Sequence, residues 1–113
     1  MAERNILSVT CREQFREWLT AHAVEESECW VAVKRGKPVE PDSFYYIDAV
    51  EEALCFGWID STLKRLPDGR LVQRLSPRRK KSHWTELNKQ RCQDLESRGL
   101  MTQAGRDALN NAL

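Results

Sequence analysis

The residues best suited to chemistry fall in two short stretches. Phe56-Gly57-Trp58-Ile59-Asp60 sets a tryptophan two residues before a carboxylate. Ser76-Pro77-Arg78-Arg79-Lys80-Lys81-Ser82-His83-Trp84 runs four consecutive cations up to another tryptophan, with Arg74 just ahead of it. A carboxylate that meets a guanidinium forms a charge-assisted hydrogen bond. Cations beside a helix start add full charge to its unpaired N–H groups and positive dipole end, which suits an anion. The tryptophans would supply flat apolar walls. Trp58, Asp60, Arg74, Arg78, Lys81 and Trp84 thus describe a pocket for a small anionic or peptide-like ligand.

Ordinary readings compete with this one. Asp60 and Arg74 make sense as an exposed cross-strand ion pair, the Arg-Arg-Lys-Lys run as a solvated loop, and Trp30, Trp58 and Trp84 as core. Two further function classes use the same residues. Residues 58–91 carry 10 basic and 3 acidic side chains, a net of +7, so nucleic-acid binding through the basic 64–91 segment is one. Against it, the cations cluster in one loop, and residues 1–57 carry 6 basic and 11 acidic side chains, a net of −5. An enzyme using Asp60 or Cys55 is the other. No phosphate-binding glycine loop, nucleophile elbow or H-E-x-x-H motif accompanies those residues. His83 titrates in a useful range, but it stands alone at a helix start.

The elements that must position these residues fit one domain of 113 residues. Hydrophobic residues make up 41% and charged residues 31%, a globular composition with no apolar run near the roughly 20 residues of a membrane span. The N-terminal stretch lacks the apolar core of a secretory signal, so the expected compartment is the cytoplasm. Cys11, Cys29, Cys55 and Cys92 lie 18, 26 and 37 residues apart. That spacing holds no C-x-x-C pair and matches neither histidine for metal binding, so reduced buried thiols are expected, with no metal and no cofactor.

Thr10-Cys11-Arg12-Glu13 has the T-x-x-E form of a capping box and opens a helix to about Ala23, with Phe15, Trp18 and Leu19 at helical spacing. Cys29–Val33 reads as a buried strand. Phe44–Phe56 returns to helical period, with Ile47, Val50 and Leu54 on one face and Asp48, Glu51 and Glu52 off it. Gly57 is placed to stop that helix in a left-handed conformation. Ser82 is placed to cap a helix bearing Trp84 in its first turn, then Leu87, Cys92 and Leu95, as far as Gly99. Thr102 would cap a last short helix. The order α-β-α-β-β-α-α predicts a small α+β domain whose short three-stranded sheet packs against helices.

Leu66-Pro67-Asp68-Gly69-Arg70 joins the two strands about Trp58–Arg65 and Arg70–Ser76, Pro presetting φ and Gly accepting a positive one. A three-residue loop makes Leu66 face Arg70 and gives paired numbers a constant sum of 136. Ile59, Leu63, Leu71 and Leu75 then share one face with Ser61 and Gln73. Trp58, Asp60, Thr62, Arg74 and Ser76 share the other.

The segments ALCFGWIDS, QRLSPRRKKSHW, ELNKQR and GLMTQAGRDAL, in that order, resemble the bacteriocin-protection family, also called YdeI/OmpD-associated. FREWL and CWVAVKR extend the likeness, so it covers about residues 10–109. The positions that match its motif are Trp30, Glu52, Gly57, Trp58, Asp60, Arg74, Pro77, Arg78, Ser82, Trp84, Asn88, Gly99, Met101 and Gly105. The resemblance adds Asn88 to the expected site and implies a bacterial stress or toxin-resistance response. It brings no reaction, substrate or cofactor.

Overall fold

The computed structural model describes residues 6–40, 42–79 and 84–112, with Asn111 and Ala112 described by backbone alone. Its elements are α1 (Arg12–His22), β1 (Cys29–Ala32), α2 (Tyr46–Cys55), β2 (Trp58–Arg65), β3 (Leu71–Pro77), α3 (Glu86–Ser97) and α4 (Gln103–Ala112). The α+β class and the element order are those the periodicity predicts, with ends moved by a few residues. The three strands form one antiparallel sheet in the order β1-β3-β2, so the β2–β3 hairpin receives β1 on its far edge.

Each helix lies where its apolar side chains find cover. Phe15 and Leu19 of α1 and Ala49 and Ala53 of α2 pack with Cys29, Val31, Trp58 and Leu75 of the sheet. Val50, Leu54 and Cys55, from the other side of α2, pack with Trp84, Cys92, Leu95 and Met101. A small third cluster of Trp30, Leu66 and Val72 lies on the outer face of the sheet.

The start of α1 differs from expectation. Cys11 is the N-cap and its side chain makes no capping bond. Thr10 instead donates its N–H and its hydroxyl to Gln14 Oε1, at 2.7 and 3.1 Å, so Gln14 takes the place expected of Glu13 and no reciprocal capping box forms. Thr85, whose hydroxyl accepts from Asn88 N–H at 3.1 Å, caps α3. Trp84 therefore precedes the helix and is not in its first turn. Ser82, the expected cap, lies outside the described residues.

The acids of α2 are not a solvated face. Asp48 is 5% exposed and Glu52 2%. Arg12 Nε donates to Glu52 Oε2 at 2.8 Å and Arg16 Nη1 to Glu52 Oε1 at 3.0 Å, so one carboxylate holds two guanidinium groups of α1. Arg12 Nη1 also reaches Asp48 and Glu51 at 3.2 and 3.1 Å. Burial alone would lower the Arg12 and Arg16 pKa values, but the Glu52 bonds outweigh it and both lie above the ordinary arginine value. Asp48 further accepts Tyr45 N–H at 3.1 Å, satisfying a free donor at the start of α2.

Gly57 stops α2 at φ +78, and its carbonyl accepts Arg78 N–H at 3.0 Å, which closes the base of the hairpin. The Cys55 carbonyl accepts both the N–H of Thr102 at 3.0 Å and its hydroxyl at 2.5 Å. These bonds draw α4 so close that a Cβ on Gly57 would lie 2.9 Å from Ala104 O, and one on Gly105 would collide with Cys55 O.

Two outcomes follow for urea unfolding. Glu52→Gln should cost about 3 kcal/mol, because removing one partner of a buried pair strands the other charge. Gly36→Ala, at φ +98 with nothing within 4 Å of a new Cβ, should cost about 1 kcal/mol for left-handed backbone alone. Gly57→Ala adds a backbone collision and should cost at least twice as much. Equal losses at the two glycines would show that α4 does not press on the α2–β2 junction.

Candidate ligand site

The hairpin register explains which expected partners meet. From Arg65↔Leu71 to Thr62↔Arg74 the pairs keep the predicted register. A bulge then shifts it, so Asp60 faces Leu75 and Trp58 faces Pro77. One extra residue, Ser61, turns the first half of β2 over. Trp58 and Asp60 thereby join the face of Leu75, and Thr62 and Arg74 lie on the opposite face. The expected Asp60–Arg74 pairing is overturned. Arg74 instead pairs with Glu28 through Nε and donates to Ser61 Oγ at 3.0 Å, on the face that carries Trp30.

Asp60 accepts the Tyr46 hydroxyl at 3.2 Å. Burial and the Asp60 charge together raise the Tyr46 phenol above its ordinary pKa. The Arg78 guanidinium lies over the Trp84 ring, 3.7 Å from its centre, a cation–π contact well inside the usual 6 Å. Burial lowers the Arg78 pKa, while the Cys92 and Asp60 charges oppose that shift. Asn88 Oδ1 accepts from Arg91 Nη1 at 2.9 Å, and Arg91 also acts electrostatically on Tyr46. Arg78 thus touches Trp84 and feels the Asp60 charge near the end of β3, while Asn88 is joined to Arg91. Lys81 lies outside the described residues. Tyr46 and Arg91 were not foreseen, since nothing local marks a tyrosine at a helix start as the partner of a distant aspartate.

Arg78 also borders a cleft of about 450 Å³ between α1, α4 and the base of the hairpin. Leu19, Ala23, Phe56, Trp58 and Ala108 line it, with Arg78, Arg79 and Asp107 as its charged groups. Trp58 is only 2% exposed and meets Trp18 edge to face at 5.9 Å, so it is core and cleft wall at once. Such a cavity, mostly apolar with a few charged groups, has the size and make-up of a small-molecule site.

The Cys55 thiol is pushed up to about 11 by burial and by the Glu52 charge. It stays protonated at neutral pH, whereas a nucleophile needs the thiolate. His22, Glu25 and Glu26 bring three ligand-type atoms within 4.8 Å of one another. His22 Nδ1 and Glu25 Oε1, both well exposed, are already hydrogen-bonded at 2.8 Å, which accounts for the grouping without an ion.

The buried thiols predict an alkaline instability. Cys29 is pushed up to about 12 by burial and by Glu28 and Glu26, and burial also raises Cys92. Unfolding returns each thiol to about 8.5, so between that value and the folded one the unfolded chain binds fewer protons. Stability therefore falls as pH rises, by up to about 1.4 kcal/mol per pH unit for each thiol. Unfolding midpoints should be flat from pH 6 to 8 and drop between pH 9 and 11. Cys29→Ala should drop less steeply, and an identical slope would refute the assignment.

No curated protein and no solved structure matches the chain significantly. A family model described as Domain of unknown function (DUF8412) matches residues 7–108. That span runs from the segment ahead of α1 to the Ala108 wall of the cleft, so the chain belongs to the DUF8412 family.

Proposed function

We propose that the domain is a binding module for a small anion with an apolar body, seated in the cleft between α1, α4 and the hairpin base. The observation that carries this is the setting of Arg78. Its backbone is pinned to Gly57, its guanidinium rests over the Trp84 ring, and it borders a cavity otherwise walled by Phe56, Trp58, Leu19 and Ala108. A half-buried guanidinium held in one geometry has already lost much of its solvation and side-chain freedom, so an anion reaching it meets a preorganised partner. Arg79 adds a second charge on the same rim. The four cysteines are free, which fits a reducing compartment such as the cytoplasm. No described helix is long and apolar enough to cross a membrane. The resemblance to the bacteriocin-protection (YdeI/OmpD-associated) family would make the bound anion a signal or toxic agent in a stress response.

Anilinonaphthalene sulfonate, an aromatic anion, is a direct probe. The native protein should enhance its fluorescence. Arg78→Met keeps an unbranched apolar stem over Trp84 and removes the charge, so affinity should fall about tenfold or more while the urea midpoint stays nearly constant. Arg74→Met, on the opposite face, should bind like the parent. Unchanged affinity in Arg78→Met would remove the cleft from consideration.

A further inference from the structure

We infer that a second anion site, for an organophosphate with a flat apolar body of the mononucleotide class, lies at the other end of the hairpin. A cavity of about 740 Å³ opens there, lined among others by Lys34, Arg35, Arg65 and Arg70. The topology explains the convergence. β1 runs into Lys34 and Arg35, β2 ends at Arg65, and Arg70 immediately precedes β3. In the order β1-β3-β2, antiparallel throughout, all three of those strand ends fall at the same end of the sheet. The backbone there is fixed from several sides. Val33 N–H donates to Leu71 O at 2.9 Å, Lys34 N–H to Phe44 O at 2.9 Å, and Leu66 N–H to Arg70 O at 2.8 Å.

Charge and shape together select the ligand. Four cations face one lining acid, Asp42. The apolar lining is Val9, Ala32, Val33, Phe44 and Leu71, enough for a flat ring system but not for an inorganic ion alone. The volume lies within the range of about 300–1,000 Å³ typical of small-molecule sites. Three of the cations have partners already: Lys34 with Glu40 at 3.4 Å and Ser43 at 3.1 Å, Arg70 with Asp68 at 2.9 Å, and Arg65 with Gly69 O at 2.8 Å. Both of the ion pairs are about half exposed at each end. Exposed pairs contribute little, so a phosphate can displace them with small loss. Arg12 and Arg16, partly buried and bound to the buried Glu52, cannot be recruited in that way.

This site does not depend on the cleft at Arg78, and its test separates the two. Adenosine triphosphate bearing a fluorescent N-methylanthraniloyl group is titrated against the folded protein. Saturable binding is expected in the Arg78→Met background, which disables the cleft, and adding Arg35→Ala or Arg65→Ala should weaken it about tenfold or more. Competition by unlabelled ATP should be much stronger than by inorganic triphosphate. Three outcomes overturn the proposal: no saturable binding, full affinity when Arg35→Ala and Arg65→Ala are both added to that background, or equal competition by inorganic triphosphate. A single-stranded RNA that binds more tightly than the nucleotide, with a steep log-linear salt dependence, also overturns it in favour of a polyanion surface. Circular dichroism of each variant distinguishes lost binding from lost folding.

Discussion

Glu52 is held between Arg12 and Arg16 at 2% exposure, and the docking of α1 on α2 follows from how that charge is satisfied. A buried carboxylate without partners costs several kcal/mol, so α1 can dock on α2 only in the register that presents both arginines. Arg16 also donates to the Leu100 carbonyl at 2.6 Å, which fixes the chain between α3 and α4. Two residues on, Thr102 bonds to Cys55 O and seats α4. The cleft walls from α1 and α4 are thus both tied to α2, the first through the Glu52 carboxylate and the second through the Cys55 carbonyl. Apolar residues of the same volume would hold the helices together about as firmly.

The element order was legible because each segment's apolar period matches one structure, and Gly57 marks a stop with a definite backbone. The bulge at Ser61 was not legible. Alternation specifies a strand's faces only up to parity, and Trp58 and Ile59 are both apolar, so either could point inward. In the structure Trp58 packs with Phe15 and Leu19, while Ile59 packs against the cluster of Val50, Leu54 and Trp84. Both sides of this half of β2 are covered, and a pattern argument that assumes one buried face has nothing to detect. The misplaced Asp60–Arg74 pair follows from that single residue.

Charge was legible as a total and illegible as a map. The acidic first half holds Asp48, Glu51 and Glu52 as well as the arginines that neutralise them, so its net charge says little about its surface. Arg12 and Arg16 lie four apart, as do Asp48 and Glu52, and complementary spacing on two helices was the available signal. Lys34 and Arg35 come from the same acidic half, yet they join Arg65 and Arg70 from the basic segment. Segment sums cannot anticipate a cluster assembled across strands.

The two basic clusters sit at opposite ends of one hairpin. Arg78 lies beyond the Trp58–Pro77 pair, and Arg65 and Arg70 flank the turn at the other end. Seven steps along a strand at about 3.4 Å each separate them by roughly 24 Å. That exceeds the screening length of about 8 Å at physiological ionic strength, so an anion at one end scarcely changes the potential at the other. Any influence between the sites must pass through the packed sheet and not through the field. The sheet offers such a route, because Trp58 walls the cleft and packs with Leu75, while Val33 and Leu71 line the second cavity and belong to the same core. Direct competition between two anions is excluded by distance, and cooperation between them would require the core itself to shift.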